Sequence, residues 1–104
     1  MSMSWETDAE RALEQLCAMV PETYRELAQA SARGEAEVAA GEREAGEVGP
    51  EDVVVGWIRM TPADQRDGLV PIIESLGHDP VEYADELQSE GAASEDAGPD
   101  DSDM

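Results

Sequence analysis

Several residue types are missing or scarce in this chain, and each gap argues against a class of function. The 104 residues include no lysine, no asparagine and no phenylalanine, and only one cysteine and one histidine. A single cysteine, Cys17, can form no disulfide within the chain, which favours a reducing, cytoplasmic location. A zinc centre built on Cys17 and His78 would still lack two strong ligands. We therefore expect no metal and no other cofactor.

Long apolar runs and basic clusters are absent as well. Residues 1–5 have neither the basic start nor the apolar stretch of a secretory signal, and no run approaches the about 20 apolar residues of a membrane span. The positive charges are six arginines, which form no basic patch with interleaved aromatic residues. The sequence thus predicts neither membrane association nor nucleic-acid binding.

Negative charge dominates the composition. Asp and Glu number 26 against the six arginines, so the formal net charge is −20. Residues 89–104 hold six of these acids and no base, which leaves 20 acids, six arginines and a net charge of −14 for residues 1–88. Such a body repels itself in dilute buffer, whereas molar salt shortens the screening length to ~3 Å. A lysine-free, acidic surface resembles the cytosolic proteins of extreme halophiles, and an acidic adaptor from an ordinary cell is the alternative.

The first half of the chain has the pattern of a helical hairpin. Residues 5–20 carry apolar side chains at helical spacing behind a capping-box sequence, Thr7 to Glu10, with Ser4 as a second possible cap. Pro21 separates this helix from a second one that ends near Gly46, a candidate for the position just after the helix. The apolar stripe of the second helix consists of Tyr24, Leu27, Ala28, Ala32, Ala36, Val38 and Ala39.

The densest apolar run, residues 53–60, follows a helix-start signal at residues 49–52. A helix there is apolar on every side and has to be enclosed by other elements, although Val and Ile also suit a buried strand. Residues 62–76 read as a further helix that breaks at 68–70, ahead of Pro71, and closes at Gly77. Asp79 caps a last short helix with Val81, Ala84 and Leu87 on its apolar side.

The predicted fold is therefore all-α, with a helical hairpin followed by two or three short helices. These elements form a single domain over residues 1–88, and residues 89–104 make a disordered acidic tail because they cannot bury enough apolar surface to offset ordering. The core of so small a domain rarely yields more than ~3–5 kcal/mol, so high salt or self-association has to contribute.

Part of the chain resembles a known family. The residues concerned run from Val20-Pro21-Glu22-Thr23-Tyr24-Arg25 through Ala32-Arg33, Glu37 and Ala40 to Val48-Gly49-Pro50-Glu51 and Val53, with Trp5 ahead of them. This pattern over residues 5–53 is similar to the C-terminal helical module of light-independent protochlorophyllide reductase subunits. The spacing differs by one helical turn in both helices, and the cofactor cysteines of that reductase have no counterpart. The resemblance implies a helical accessory module and carries no activity.

Three functional hypotheses remain open at this point. The first is a non-catalytic helical protein-protein interaction or assembly module, forming a homodimer or binding another protein partner, with Ala28, Ala32, Ala36 and Ala39 as the possible interface. The second is an acidic decoy or regulator that occupies a basic protein partner. The third is a small enzyme that uses Cys17 and His78. No base or cation lies near Cys17 in the sequence to lower its pKa, and Asp79, the neighbour of His78, is better explained as the cap of the next helix.

We predict that helix content rises with salt. Titrating KCl from about 10 mM, where the screening length is ~30 Å, to molar concentration should increase the far-UV circular dichroism of a folded helical protein. A chain that is already fully and stably folded in the dilute buffer would contradict the halophilic interpretation.

Overall fold

The computed structural model describes residues 3–88, and the predicted disordered tail at 89–104 lies outside them. The all-α class is confirmed, with five α-helices in this described part of the chain. Contacts divide the chain into two compact units, Met1–Met60 and Thr61–Met104. The expectation of one domain over residues 1–88 stays a prediction.

The first unit contains three helices and a minimal parallel strand pair. Its elements are β1 (Ser4–Trp5), α1 (Thr7–Cys17), α2 (Glu22–Glu42), β2 (Glu47–Val48) and α3 (Pro50–Met60). In the strand pair, Ser4 lies beside Glu47 and Trp5 beside Val48, and the Glu6 amide donates to the Val48 carbonyl at 2.9 Å. Residue 5 therefore belongs to a strand rather than to the first helix.

The ends of α1 differ from the predicted caps. Glu6 occupies the N-cap position and makes no side-chain capping bond, so the capping box from Thr7 to Glu10 was wrong. At the other end, the Arg25 guanidinium reaches from α2 to the last carbonyl of α1 and to a carbonyl in the link that follows α1. Its Nε donates to the Cys17 oxygen at 2.9 Å, and its Nη2 donates to the Val20 oxygen at 2.8 Å. A cation from the next helix thus adds hydrogen bonds at the C-terminal end of α1, where the helix dipole is negative.

Helices α2 and α3 touch backbone to backbone at Gly56. A β-carbon built on Gly56 would lie 2.7 Å from the Ala36 nitrogen, which is closer than real β-carbons approach other atoms, and 3.0 Å from the Ala36 α-carbon. Ala32, Ala36 and Ala40 are completely buried. Small side chains on α2 and a glycine on α3 therefore allow the two helix axes to come close together.

The predicted helix at residues 53–60 is confirmed as part of α3, and the alternative of a buried strand was wrong. Val53, Val54, Trp57 and Ile58 are all buried, as an apolar helix enclosed by its neighbours requires. Helix α1 contributes a second buried row to this unit, composed of Ala9, Ala12, Leu13, Leu16 and Cys17.

A strained residue ends α2. The predicted glycine position, Gly46, was wrong, because Glu44 takes the left-handed conformation with φ of 58°. The Glu44 amide donates to the Gly41 carbonyl and the Ala45 amide to the Ala40 carbonyl, which is the Schellman pattern. A residue with a β-carbon occupies a conformation that glycine adopts at lower cost.

An ion pair joins the end of α2 to the start of α3. Arg43 donates from Nε to Asp52 Oδ1 at 2.8 Å and from Nη2 to Asp52 Oδ2 at 2.6 Å. Asp52, whose side chain is buried, also accepts the Gly49 amide at 2.9 Å and so caps the helix that it belongs to. The hydrogen bonding of the Arg43 guanidinium to Asp52 raises the pKa of Arg43 above its ordinary value.

The second unit is built from short helical turns. A 3-10 helix (Ala63–Leu69) leads into α4 (Val70–Ser75), and a second 3-10 helix (Pro80–Tyr83) leads into α5 (Ala84–Gln88). The predicted break at residues 68–70 is confirmed, and so is the closing glycine, since Gly77 has φ of 88°. Asp79 caps as predicted, accepting the Val81 amide at 3.0 Å, whereas Val81 is exposed instead of packed.

We predict that Gly56→Ala destabilises the first unit. The added β-carbon has backbone rather than a flexible side chain in its way, so α2 and α3 must move apart. Overpacking of this kind costs ~1–3 kcal/mol, in spite of the ~1 kcal/mol that alanine gains over glycine in a helix. Urea unfolding at high salt measures the difference.

Gly34→Ala provides the matched control in α2. A β-carbon there meets nothing within 4 Å. At the same high salt and at low protein concentration, Gly34→Ala should therefore stabilise the helix by ~0.5–1 kcal/mol. Equal effects at the two positions would show that the close approach at Gly56 does not limit packing.

Candidate interaction surface

Helix α2 carries large apolar side chains on its solvent-exposed side. Residues 3–88 have five exposed large hydrophobic residues: Met19, Tyr24, Leu27, Val38 and Val81. Three of them belong to α2, where the exposed fractions are 62% for Tyr24, 69% for Leu27 and 52% for Val38. An exposed apolar residue is ordinary when it stands alone, whereas aligned ones indicate a contact surface.

These three side chains lie on one line along the helix. The line continues through small residues, and its members are Tyr24, Leu27, Ser31, Gly34, Val38 and Gly41, all of them exposed. We call this set the α2 row. Its members follow one another at intervals of three, four, three, four and three residues, the spacing by which one helix presents a seam to another. The row spans 17 residue steps, or about 25 Å at 1.5 Å per residue.

The predicted interface residues lie mostly on the other side of α2. Ala32 and Ala36 are fully buried and Ala39 nearly so, within a single chain, while Ala28 is half-buried. The predicted apolar stripe therefore combined two faces. One face packs inside the unit, and the α2 row faces solvent. A second copy of the chain could therefore contact the exposed α2 row, whereas the three buried alanines are not accessible to it.

Acidic side chains flank the C-terminal half of the row, and two of the three are already engaged. Glu37 Oε2 accepts the indole Nε1–H of Trp5 at 3.0 Å. Glu42 Oε1 accepts Arg59 Nη2 at 2.7 Å, and this bond lowers the pKa of Glu42. Glu35 is the third acid and is half-buried. The negative charge beside the row is therefore partly balanced within the chain.

Arg33 holds Trp5 against the side of α2. Its guanidinium carbon lies 4.1 Å from the centroid of the indole ring, and its Nη1 donates to Glu10 Oε1 at 3.1 Å. The cation thus connects β1, α1 and α2 at a point adjacent to the row.

The single cysteine lines a hollow between α1 and α2. The hollow has a volume of about 410 Å³, and it is lined by Glu10, Leu13, Glu14, Cys17, Ala18, Arg25 and Gln29. Burial raises the pKa of the Cys17 thiol, and the nearby positive charge of Arg25 opposes this rise to a smaller extent. Arg25 is committed to the carbonyls at the end of α1. The arrangement disfavours the thiolate that a nucleophile or metal ligand needs.

The single histidine, in the second unit, has a tyrosine partner. His78 Nδ1 lies 3.0 Å from the Tyr83 hydroxyl, and the two rings meet edge to face with centroids 5.9 Å apart. This contact joins the loop after α4 to the following 3-10 helix.

Residues 3–88 contain neither a cluster of metal ligands nor a membrane-spanning helix. In that range, no three His, Cys, Asp or Glu side chains converge as a metal site would require. Likewise, none of its helices has the length and apolar character needed to cross a bilayer.

Comparison with known proteins gives no match to any family model, curated protein or solved structure. The resemblance of residues 5–53 to the reductase module stays a prediction, as does the halophilic origin.

The α2 row could have been recognised from the sequence by side-chain size. Reading Tyr24, Leu27 and Val38 separately from the alanines gives two lines on opposite sides of one helix. What the sequence does not contain is which line α3 covers. Gly56 determines which line α3 covers. A glycine lets the two helix backbones come close where the facing side chains are alanines, whereas the larger side chains of Tyr and Leu would hold the helices apart.

We predict that Cys17 reacts slowly in the folded protein. Iodoacetamide at pH 8 should alkylate native Cys17 more slowly than the urea-unfolded chain or free cysteine, because the thiolate is the reactive form and burial disfavours it. The difference should narrow as the pH rises toward the raised pKa. Alkylation faster than that of free cysteine would indicate an activated thiol and favour the enzyme hypothesis.

Proposed function

We propose that this chain is a non-catalytic helical interaction module of a salt-rich cytoplasm, and that it docks a partner helix on the α2 row. The observation that carries the proposal is the alignment of Tyr24, Leu27 and Val38 on the exposed face of a helix whose opposite face is buried. Helix α2 therefore has two apolar faces. Its own unit covers one of them, and the other is available to a partner.

The row has the composition of a helix-docking seam. Large side chains at Tyr24, Leu27 and Val38 provide apolar area, and Ser31, Gly34 and Gly41 leave room for a partner to approach. A β-carbon at Gly34 or Gly41 would meet nothing within 4 Å, so space above both glycines is open. The partner fits as a helix read at the same three- and four-residue intervals.

The high negative charge supports a docking mode that depends on apolar contact. A net charge of −20 opposes association with other acidic proteins in dilute buffer. Molar salt shortens the range of this repulsion and also weakens exposed ion pairs. Apolar contact, in contrast, is not screened, and strongly hydrated salts enhance it. An apolar seam is thus suited to the medium that the composition predicts.

We predict that the row is in contact with another protein in cells that make this chain. A photo-reactive residue placed at position 27 should give a discrete cross-linked species on illumination. The matched control carries the same residue at Gln29, which is exposed on the same helix but lies off the row.

Both positions are exposed, so neither replacement should disturb the fold. No cross-link at position 27, or the same products at both positions, would contradict docking on the row. The mass of the position 27 product identifies the partner, whether it is a second copy of this chain or a different protein.

A further inference from the structure

We infer that the partner is a second copy of this chain and that the two α2 helices pair antiparallel, an inference that rests on the proposed docking role of the α2 row. The intervals of the row are three, four, three, four and three residues, which read the same in both directions. A reversed copy therefore meets the row in register at all six positions. A two-fold axis would pass the helix at the peptide between Ala32 and Arg33, and two-fold pairing is the commonest form of self-association.

Side-chain sizes match in this register. The symmetry opposes Tyr24 to Gly41 of the other copy, Leu27 to Val38, and Ser31 to Gly34. The largest residue thus faces a glycine above which the space is open. In a parallel pair, Tyr24 would face Tyr24 and Gly41 would face Gly41, which crowds one end of the seam and leaves a gap at the other.

Charges beside the seam also favour the antiparallel pair. In it, Glu35 falls next to Ala28 of the other copy and Glu37 next to Ala30, so no carboxylate directly opposes another. A parallel pair would bring the acidic C-terminal halves of both rows together. The ion pair of Arg59 with Glu42 reduces the remaining repulsion. Ala28, one of the predicted interface residues, then serves as a flank of the seam.

Cysteine pairing tests both the partner and the orientation. The background is Cys17→Ala, which removes the buried thiol, and two variants add either Leu27→Cys or Val38→Cys at exposed positions. The two variants, given tags of different size, are mixed at ~2 M KCl and oxidised gently. Circular dichroism checks that each is folded as the parent is.

The antiparallel pair predicts a mixed disulfide between the two variants and little product from either alone. Two copies of position 27 would be about 16 Å apart along the axis, at 1.5 Å per residue, whereas a disulfide needs α-carbons within ~7 Å. Lowering the salt should reduce the mixed product, because repulsion between two acidic chains then returns.

Self-linked products from each variant alone, with no excess of the mixed species, would show a parallel pair and overturn the inference. Absence of any disulfide, together with a monomer by sedimentation at ~1 mM chain and ~2 M KCl, would exclude pairing with a Kd below about 1 mM and overturn the inference. The proposed docking role would survive that result if cross-linking at position 27 still captured a different protein, and it would fail if position 27 captured nothing.

Discussion

The contact between Gly56 and the backbone of α2 at Ala36 determines how the first unit is arranged. At the contact, α3 has a glycine and α2 has only the methyl groups of its alanines, so the two helix axes come close. The buried alanines of α2 all take part in this packing. The bulk of the core then has to come from α1 and from the remaining sides of α3. The α2 row is the face of α2 that this packing leaves exposed, and it carries Tyr24, Leu27 and Val38.

Several of the six arginines hydrogen-bond to neighbouring segments, in a chain that has no lysine. Arg25 closes the end of α1, Arg33 holds Trp5 and Glu10 together, and Arg43 bonds to both oxygens of Asp52. Arg66, in the second unit, is buried and donates to the carbonyls of Thr61 and Glu86. Each of these bonds uses the planar fork of a guanidinium, which an ammonium group could not reproduce. Although the chain has few positive charges, these four arginines each hydrogen-bond to other segments of their own unit.

Prolines, glycines and apolar spacing were enough to predict most helices. Pro21, Pro71 and Gly77 divide the chain where the structure divides it, and the enclosed helix at 53–60 follows from an apolar residue on every side. Three features could not be predicted, and a distant neighbour determines the first two of them. The strand pair requires residue 5 to meet residue 48, and the covered face of α2 depends on where Gly56 arrives. Glu44 takes a glycine conformation because the link between α2 and β2 is short.

The pairing of β1 with β2 has a consequence for the order in which the protein can be made. Ser4 leaves the ribosome first and must wait for its partner Glu47, which is 43 residues later in the chain. At ~5–20 residues per second, that delay is roughly 2–9 s. During this interval α1 has neither the strand pair beside it nor its contact with α3. The nascent chain therefore passes through a stage in which its first helix has apolar residues exposed and can be bound by a chaperone.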